Sequence, residues 1–212
     1  MKAYYSARAS YYDAVYEKPE RQNDIAFLRE YLPVRLAGRN VVEVACGTGY
    51  WSQYIAPVCL SYVATDGIAE PLEFARQRPG ILHAQCRVAD AYALPNGLGR
   101  FNGAFAGLWL SHVPVERRAE FFRSLHGLLE PGSRVVLIDN SEVQCREFPI
   151  AERDEQGNTY QQRPLRDGSV HRVLKNFPSE AELYELALSF AAKTCWYKPL
   201  ENFWLFEYEL PD

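Results

Sequence analysis

The run "NVVEVACGTG", residues 40–49, constrains this chain more than any other stretch. Apolar residues around Glu43 read as a strand buried on both faces. Gly47 and Gly49 then impose a tight turn and close backbone approach to whatever lies above it. A strand apolar on both faces needs helices on each side, and the chain has the rhythm to supply them. Strand-like runs fall at 60–66, within 81–90, at 101–110 and at 133–139, with helical patterns between them. Residues 116–130 put Phe121, Phe122, Leu125, Leu128 and Leu129 on one face, and Pro131-Gly132 predict the stop. Pro71 marks the first turn of a helix running over "PLEFARQR". The expectation is one α/β domain over residues 1–212 with a mostly parallel sheet. No linker, internal repeat or low-complexity tract divides it.

After residue 140 the rhythm changes. Residues 160–165 and 169–175 flank "RDG" and predict a β-hairpin. Ser179 with Glu182 three residues on is a capping-box pattern opening a helix. "KTCWYKPL" and "NFWLFEYEL" predict two antiparallel strands at the sheet edge, joined near Glu201-Asn202. The mixed-polarity segment 140–178 reads either as an arm or lid over the carboxyl ends of the strands, or as a peripheral hairpin.

The glycine loop is not built for a pyrophosphate. A dinucleotide fingerprint needs a third glycine where Ser52 stands, and no GK[ST] follows to make a Walker loop. Asp66, at the end of the next strand, is an acid nineteen residues beyond Gly47. A carboxylate there can accept both hydroxyls of a ribose.

With "VVEVACGTG", Asp66, "VADAYAL" (88–94), "FNGAFAGLWLSHVP" and "LEPGSRVVLIDN" in that order, the chain resembles the class I S-adenosylmethionine (SAM) dependent methyltransferases over nearly its whole length. The resemblance implies a Rossmann-like fold with seven strands ordered 3-2-1-4-5-7-6, strand 7 antiparallel, and SAM across the carboxyl ends of the strands. It implies that Glu43 orders the loop, that Gly47 and Gly49 pass beside the methionine portion, and that Ala45 and Trp51 also belong to the cofactor site. It places Asp66 at the ribose and Asp90 and Ala91 at the adenine, with Gly67 in the cofactor site and Trp109 at the ligand's edge. Many members carry glycine where this chain has Ala45, which reads as a mild change. The string "YYSARASYYDAVYEKPERQ", with "EVACGTGYWS", "LIDN" and "GNTYQ…DGSVHRVLKNFPSEAEL", is similar to a subgroup near the bacterial azetidine-2-carboxylate synthases. Those SAM lyases on the methyltransferase fold serve natural product (non-ribosomal peptide) biosynthesis.

That resemblance implies one of two reactions. The α-amine of SAM attacks its own γ carbon, giving azetidine-2-carboxylate and methylthioadenosine. Alternatively the methyl passes to nitrogen or oxygen of a small molecule. "LSHVP" after the fourth strand lacks the [DN]PP[YF] of nucleic-acid and glutamine methylating enzymes. His112 is a candidate general base, or a structural histidine at the strand–helix junction. Asn140 is the candidate to orient the amine, with Tyr5, Tyr11 or Tyr12 holding the carboxylate.

Aromatic residues make up 14% of the chain, and they gather at these predicted edges. Tyr50, Trp51, Trp109 and the N-terminal tyrosines are candidates either to surround a sulfonium cation or to fill the core. Tyr5, Tyr12 and Tyr16 equally form one stripe of an amphipathic helix over the N-terminal segment, residues 1–20.

A net charge of −4 without a basic run argues against a nucleic-acid partner. Five scattered cysteines without metal-ligand spacing predict no metal and a reduced, cytoplasmic protein. No signal-peptide core and no apolar run of membrane-spanning length is present. The expected partner is a small molecule, neither nucleic acid nor membrane. Oligomeric state is not encoded in any of these signals.

Overall fold

The computed structural model describes residues 2–212. Its first five strands are β1 (Asn40–Val44), β2 (Ser61–Asp66), β3 (Gln85–Val88), β4 (Phe101–Gly107) and β5 (Leu129–Asn140). An arm follows with β6 (Ile150–Arg153), β7 (Thr159–Pro164) and β8 (Val170–Leu174). The chain then ends on β9 (Lys193–Pro199) and β10 (Phe203–Glu209). The main sheet has the order β3-β2-β1-β4-β5-β10-β9, and the arm forms a separate antiparallel sheet. With the arm set aside, this is the sevenfold order 3-2-1-4-5-7-6, its seventh strand antiparallel to both neighbours.

Alternation along β1 builds both core layers. Val42 and Val44 face a layer with Phe121, Phe122 and Leu125, whereas Val41 faces Ile25, Leu28, Leu36 and Phe105. The helices are α1 (Lys2–Arg8), α2 (Gln22–Leu36), α3 (Ser52–Ile55), α4 (Ala69–Ala75), α5 (Arg118–His126) and α6 (Glu180–Ser189). The sequence reading did not single out α2. Its buried Ile25, Leu28, Leu32 and Leu36 recur at helical spacing, but Pro33 inside it masks the pattern. Ser179 and Glu182 make the expected capping box at α6.

Several boundaries differ from expectation. Helix α5 ends at His126, and β5 already starts at Leu129. Pro131 and Gly132 therefore lie in the strand, where Gly132 takes a φ of +69° and the register against β4 shifts between Phe101 and Gly103. The irregularity admits a proline that a regular ladder excludes. Helix α4 starts at Ala69, so Pro71 sits inside its first turn. The hairpin over 160–175 is β7 and β8, but β6 was not foreseen; all four of its residues are exposed, so it carries no burial pattern to read.

The N-terminal segment is not one amphipathic helix. Helix α1 gives way to 3₁₀ turns over Ala9–Val15, and Tyr11 breaks the helical backbone at φ −134°. Met1 of the expected 1–20 segment lies outside the described residues.

Candidate functional site

The glycine loop bridges β1 and α3. Ala45, Gly47 and Gly49 all have left-handed backbone, with φ of 57°, 54° and 73°. Ala45 is therefore more than a mild change: a side chain stands where glycine is favoured. Gly47 donates its N–H to Asp66 Oδ2 at 2.9 Å, and Ile68 donates to Oδ1 at 2.9 Å. The acid at the end of β2 thus ties two loops together. A Cβ on Gly47 would meet nothing within 4 Å, so its backbone faces open space. A Cβ on Gly49 would approach Ala75 at 3.0 Å, so this glycine supplies the close helix contact that a third glycine would otherwise give.

Beneath the loop, Glu43 is buried and accepts hydrogen bonds from Ser52 Oγ and from Tyr62 OH, the latter at 2.9 Å. Burial pushes its carboxyl up to about 7, against the opposing effect of those two donors. Glu43 therefore anchors the start of α3 from below. Above the loop, Asp13 of the N-terminal segment accepts from Thr48 Oγ1 at 2.6 Å and pairs with Arg78. Sequence reasoning passed over Asp13, because its partners lie 35 and 65 residues away.

Gly67 follows Asp66 with open space above its Cα, its nearest would-be Cβ neighbour being Ala89 O at 3.8 Å. Asp90 is exposed and accepts from Tyr92 N at 3.0 Å, and Ala91 beside it is buried. Trp51 is buried against Tyr16 and Tyr50 in the layer beneath the N-terminal segment. Trp109 packs between Tyr92 and Phe121. Tyr50 does not offer a free face: Tyr16 stacks on it at 3.6 Å and Arg29 donates to its hydroxyl. The expectation that these rings wait for a sulfonium is corrected at Tyr50, because stacking on a neighbouring ring already buries its surface.

A small cavity opens beyond β4 and β5. Leu108 and Asn140 form its floor at the ends of those strands, and Tyr5, Tyr12 and His112 line it with residues of the arm. Leu108 takes a φ of 58° as the chain turns out of β4. His112 follows in a 3₁₀ turn. The Leu174 carbonyl can only accept, so His112 Nδ1 donates to it at 2.6 Å and Nε2 is left as an acceptor. Tyr5 OH donates to that Nε2 at 2.7 Å. Burial, with the positive charges of Lys175 and Arg163, holds the imidazole well below its ordinary range, so it is neutral.

Behind His112 lies a buried ion pair. Lys175 Nζ donates to Asp139 Oδ1 at 2.9 Å and to Ser111 Oγ at 2.6 Å, and Ser111 donates from N and Oγ to the same carboxylate. Burial pushes Lys175 down to about 8. Asp139 stays below the usual carboxylate range despite its burial, because Lys175 opposes that effect. Asn140 Nδ2 makes only a long 3.4 Å contact to Asp139, and its buried Oδ1 has no partner among the described residues.

Of the catalytic candidates, the structure gathers Tyr5, Tyr12, His112 and Asn140 around this one cavity. Tyr11 is the exception. Its ring lies under Arg166 at 4.1 Å and packs beside Leu165 and Val173 of the arm, because the backbone break at this residue turns it outward. The sequence reading missed Asp139 and Lys175. The signal was a charged residue inside each of two apolar strings, "VVLID" and "VLKNF", each of which needs a partner once buried. All five cysteines are free, and no cluster of metal-ligating side chains exists among the described residues.

Residues 41–132 match a family described as a methyltransferase domain. No curated protein sequence matches the chain. Among solved structures, a DhpI–SAH complex superposes with a TM-score of 0.80 at 27% identity, covering 99% of this chain and 94% of that one. A DhpI–SAM–HEP complex gives 0.79 at 28%, covering 99% and 95%. The N-methyltransferase NodS from Bradyrhizobium japonicum WM9 gives 0.63 at 13%, covering 92% and 99%. The chain has the Rossmann-like class I methyltransferase fold. No helix among the described residues is long and apolar enough to cross a membrane.

Proposed function

We propose that this chain is a SAM-dependent methyltransferase acting on a small molecule. One observation carries the reading: a neutral, buried His112 with a fixed tautomer, accepting from Tyr5, lines the cavity beyond β4 and β5. The loop itself fits SAM, since Gly47 presents bare backbone to open space and Asp66 stands at its side. The structures of DhpI with SAM and with S-adenosylhomocysteine (SAH) support the same ligand here.

SAM supplies a methyl group activated by its sulfonium and leaves as SAH. In this proposal Gly47 and Gly49 allow the methionine portion close approach, and Asp66 and Gly67 take the ribose. Asp90 and Ala91 take the adenine. The protein's remaining task is to hold an acceptor in line and remove its proton. An acceptor hydroxyl or amine gives its proton to Tyr5 oxygen as Tyr5 gives its own to His112 Nε2. The electron pair freed on the acceptor forms the new bond to the methyl carbon, and the pair of the broken carbon–sulfur bond returns to sulfur. The Asp139 carboxylate, nearby and ionised, favours the imidazolium that results.

Asn140 favours a second reading. Its buried, unpartnered Oδ1 is suited to accept from the α-amine of SAM and orient it toward the γ carbon. In that reading the new nitrogen–carbon bond closes azetidine-2-carboxylate, the γ-carbon–sulfur bond breaks, and methylthioadenosine leaves. Mass spectrometry after incubation with SAM alone, and with SAM plus small acceptors, separates the two. SAH formed only when an acceptor is present supports methyl transfer. Methylthioadenosine with a four-carbon cyclic amino acid from SAM alone, above the uncatalysed rate, supports cyclisation. Neither product under any condition, together with no SAM binding, overturns both.

A further inference from the structure

The lining of the cavity beyond β4 and β5 is strongly cationic. Arg8, Lys18, Arg21, Arg163 and Lys175 face it, against the single carboxylate of Glu147. Lys18 is paired with Glu147, and Lys175 with Asp139. Among the described residues, the other three have no carboxylate partner. Arg8 donates to Tyr4 OH at 2.8 Å, Arg21 to the Val15 carbonyl at 3.2 Å, and Arg163 to Gln161 and Gln144 side-chain oxygens. Arg21 and Arg163 are each only 4% exposed. The buried Nε of Arg21 has no partner at all among the described residues.

A guanidinium buried without a counter-charge is strongly disfavoured, because its lost hydration is not replaced. Arg21 and Arg163, both buried, and the half-buried Arg8 reach one space from separate elements. Arg8 ends α1, Arg21 precedes α2, and Arg163 lies on β7 of the arm. Each sits over an aromatic face: Arg8 over Tyr12 at 5.3 Å, Arg21 over Phe203 at 5.5 Å and Arg163 over Phe148 at 5.3 Å. Stacking restricts the guanidinium without neutralising it. The forks are thus held in place with donor capacity to spare. A planar fork matches the paired oxygens of a carboxylate or a phosphoryl group.

Resting on the methyltransferase reading, we infer that this cavity binds the acceptor through an oxyanion, a carboxylate or phosphoryl group, held by Arg8, Arg21 and Arg163. The methyl acceptor is therefore a small acid. Its nucleophilic atom lies within reach of Tyr5 while its charged end rests on the arginines. The arm then serves substrate selection, since β7 contributes Arg163. The oxyanion also relieves the positive field around His112 when the acceptor arrives.

Calorimetry on the full chain tests this, with and without saturating SAH, using inorganic phosphate, acetate and uncharged glycerol as probes. At least one anion is expected to bind, and glycerol is not. Arg163→Gln and Arg8→Gln are each expected to weaken the anion by on the order of tenfold to a hundredfold, the loss of a charge-assisted hydrogen bond. SAH affinity should stay within about twofold, as for an independent site, and this also reports that both variants fold. Tighter phosphate identifies a phosphoryl acceptor, and tighter acetate a carboxylate. Anion affinity no better than glycerol's, or unchanged in both variants, overturns the inference. Failure of wild-type chain to bind SAH overturns the SAM reading instead, and the titration without SAH still decides the anion site.

Discussion

Replacing Glu43 by glutamine isolates the charge buried under the glycine loop. The amide keeps an oxygen to accept from Ser52 and Tyr62 but cannot ionise. In the folded chain the Glu43 carboxyl is raised from 4.5 to about 7, chiefly by burial. A raised acid binds its proton more tightly in the folded state than in the unfolded one. Its stabilising contribution is complete below the unfolded value and is lost as pH rises through the folded value. At about 1.4 kcal/mol per pH unit, the loss amounts to about 3 kcal/mol. Urea unfolding of wild type and Glu43→Gln, at several values between about pH 4 and pH 8, measures it. Subtracting the two curves cancels titrations common to both chains. Relative to wild type, the variant should gain about 3 kcal/mol across that window and level off above it. A difference independent of pH, or one that falls as pH rises, refutes the burial argument.

Ala45→Gly relieves a left-handed residue at a cost of about 1–2 kcal/mol and adds about 0.4–1 kcal/mol of unfolded-state entropy. Net stabilisation of about 0.5–1 kcal/mol should raise the thermal midpoint, and a lowered midpoint contradicts the strain. His112→Ala should lower kcat by roughly 10²–10⁴, the usual contribution of a general base, with SAM affinity retained. Tyr5→Phe should show a smaller loss of the same kind in steady-state assays; a full-rate Tyr5→Phe enzyme removes the tyrosine from the proton path. On the cyclisation reading, Asn140→Ala should reduce turnover to methylthioadenosine more than SAM binding, compared by kinetics and calorimetry. Equal loss of both contradicts an orienting role.

The sheet was legible because burial leaves a local mark. Val41 to Val44, Phe101 to Gly107 and Phe203 to Tyr208 are apolar runs whose neighbours in sequence alone identify them as strands. The exposed β6 has no such mark, and Pro33 obscures α2. The site divides the same way. Gly47, Gly49 and Asp66 sit at strand ends fixed by a local motif, so spacing finds them. Arg8, Arg21, Arg163 and Lys175 come from four segments that meet only after the arm folds over the sheet. No spacing connects them. Aromatic residues divide for a related reason: composition marks a cluster of rings but not what each ring faces. Tyr12 faces Arg8, and Tyr50 is covered by Tyr16.

A crystal structure of the chain with SAM and a small acid tests the central claim most directly. The account predicts the methionine portion beside Gly47 and Gly49, with the methyl directed into the cavity toward Tyr5. It also predicts the acid's oxyanion on Arg163 and Arg21. SAM bound with its α-amine folded back on the γ carbon against Asn140, and no acid in the cavity, would contradict it.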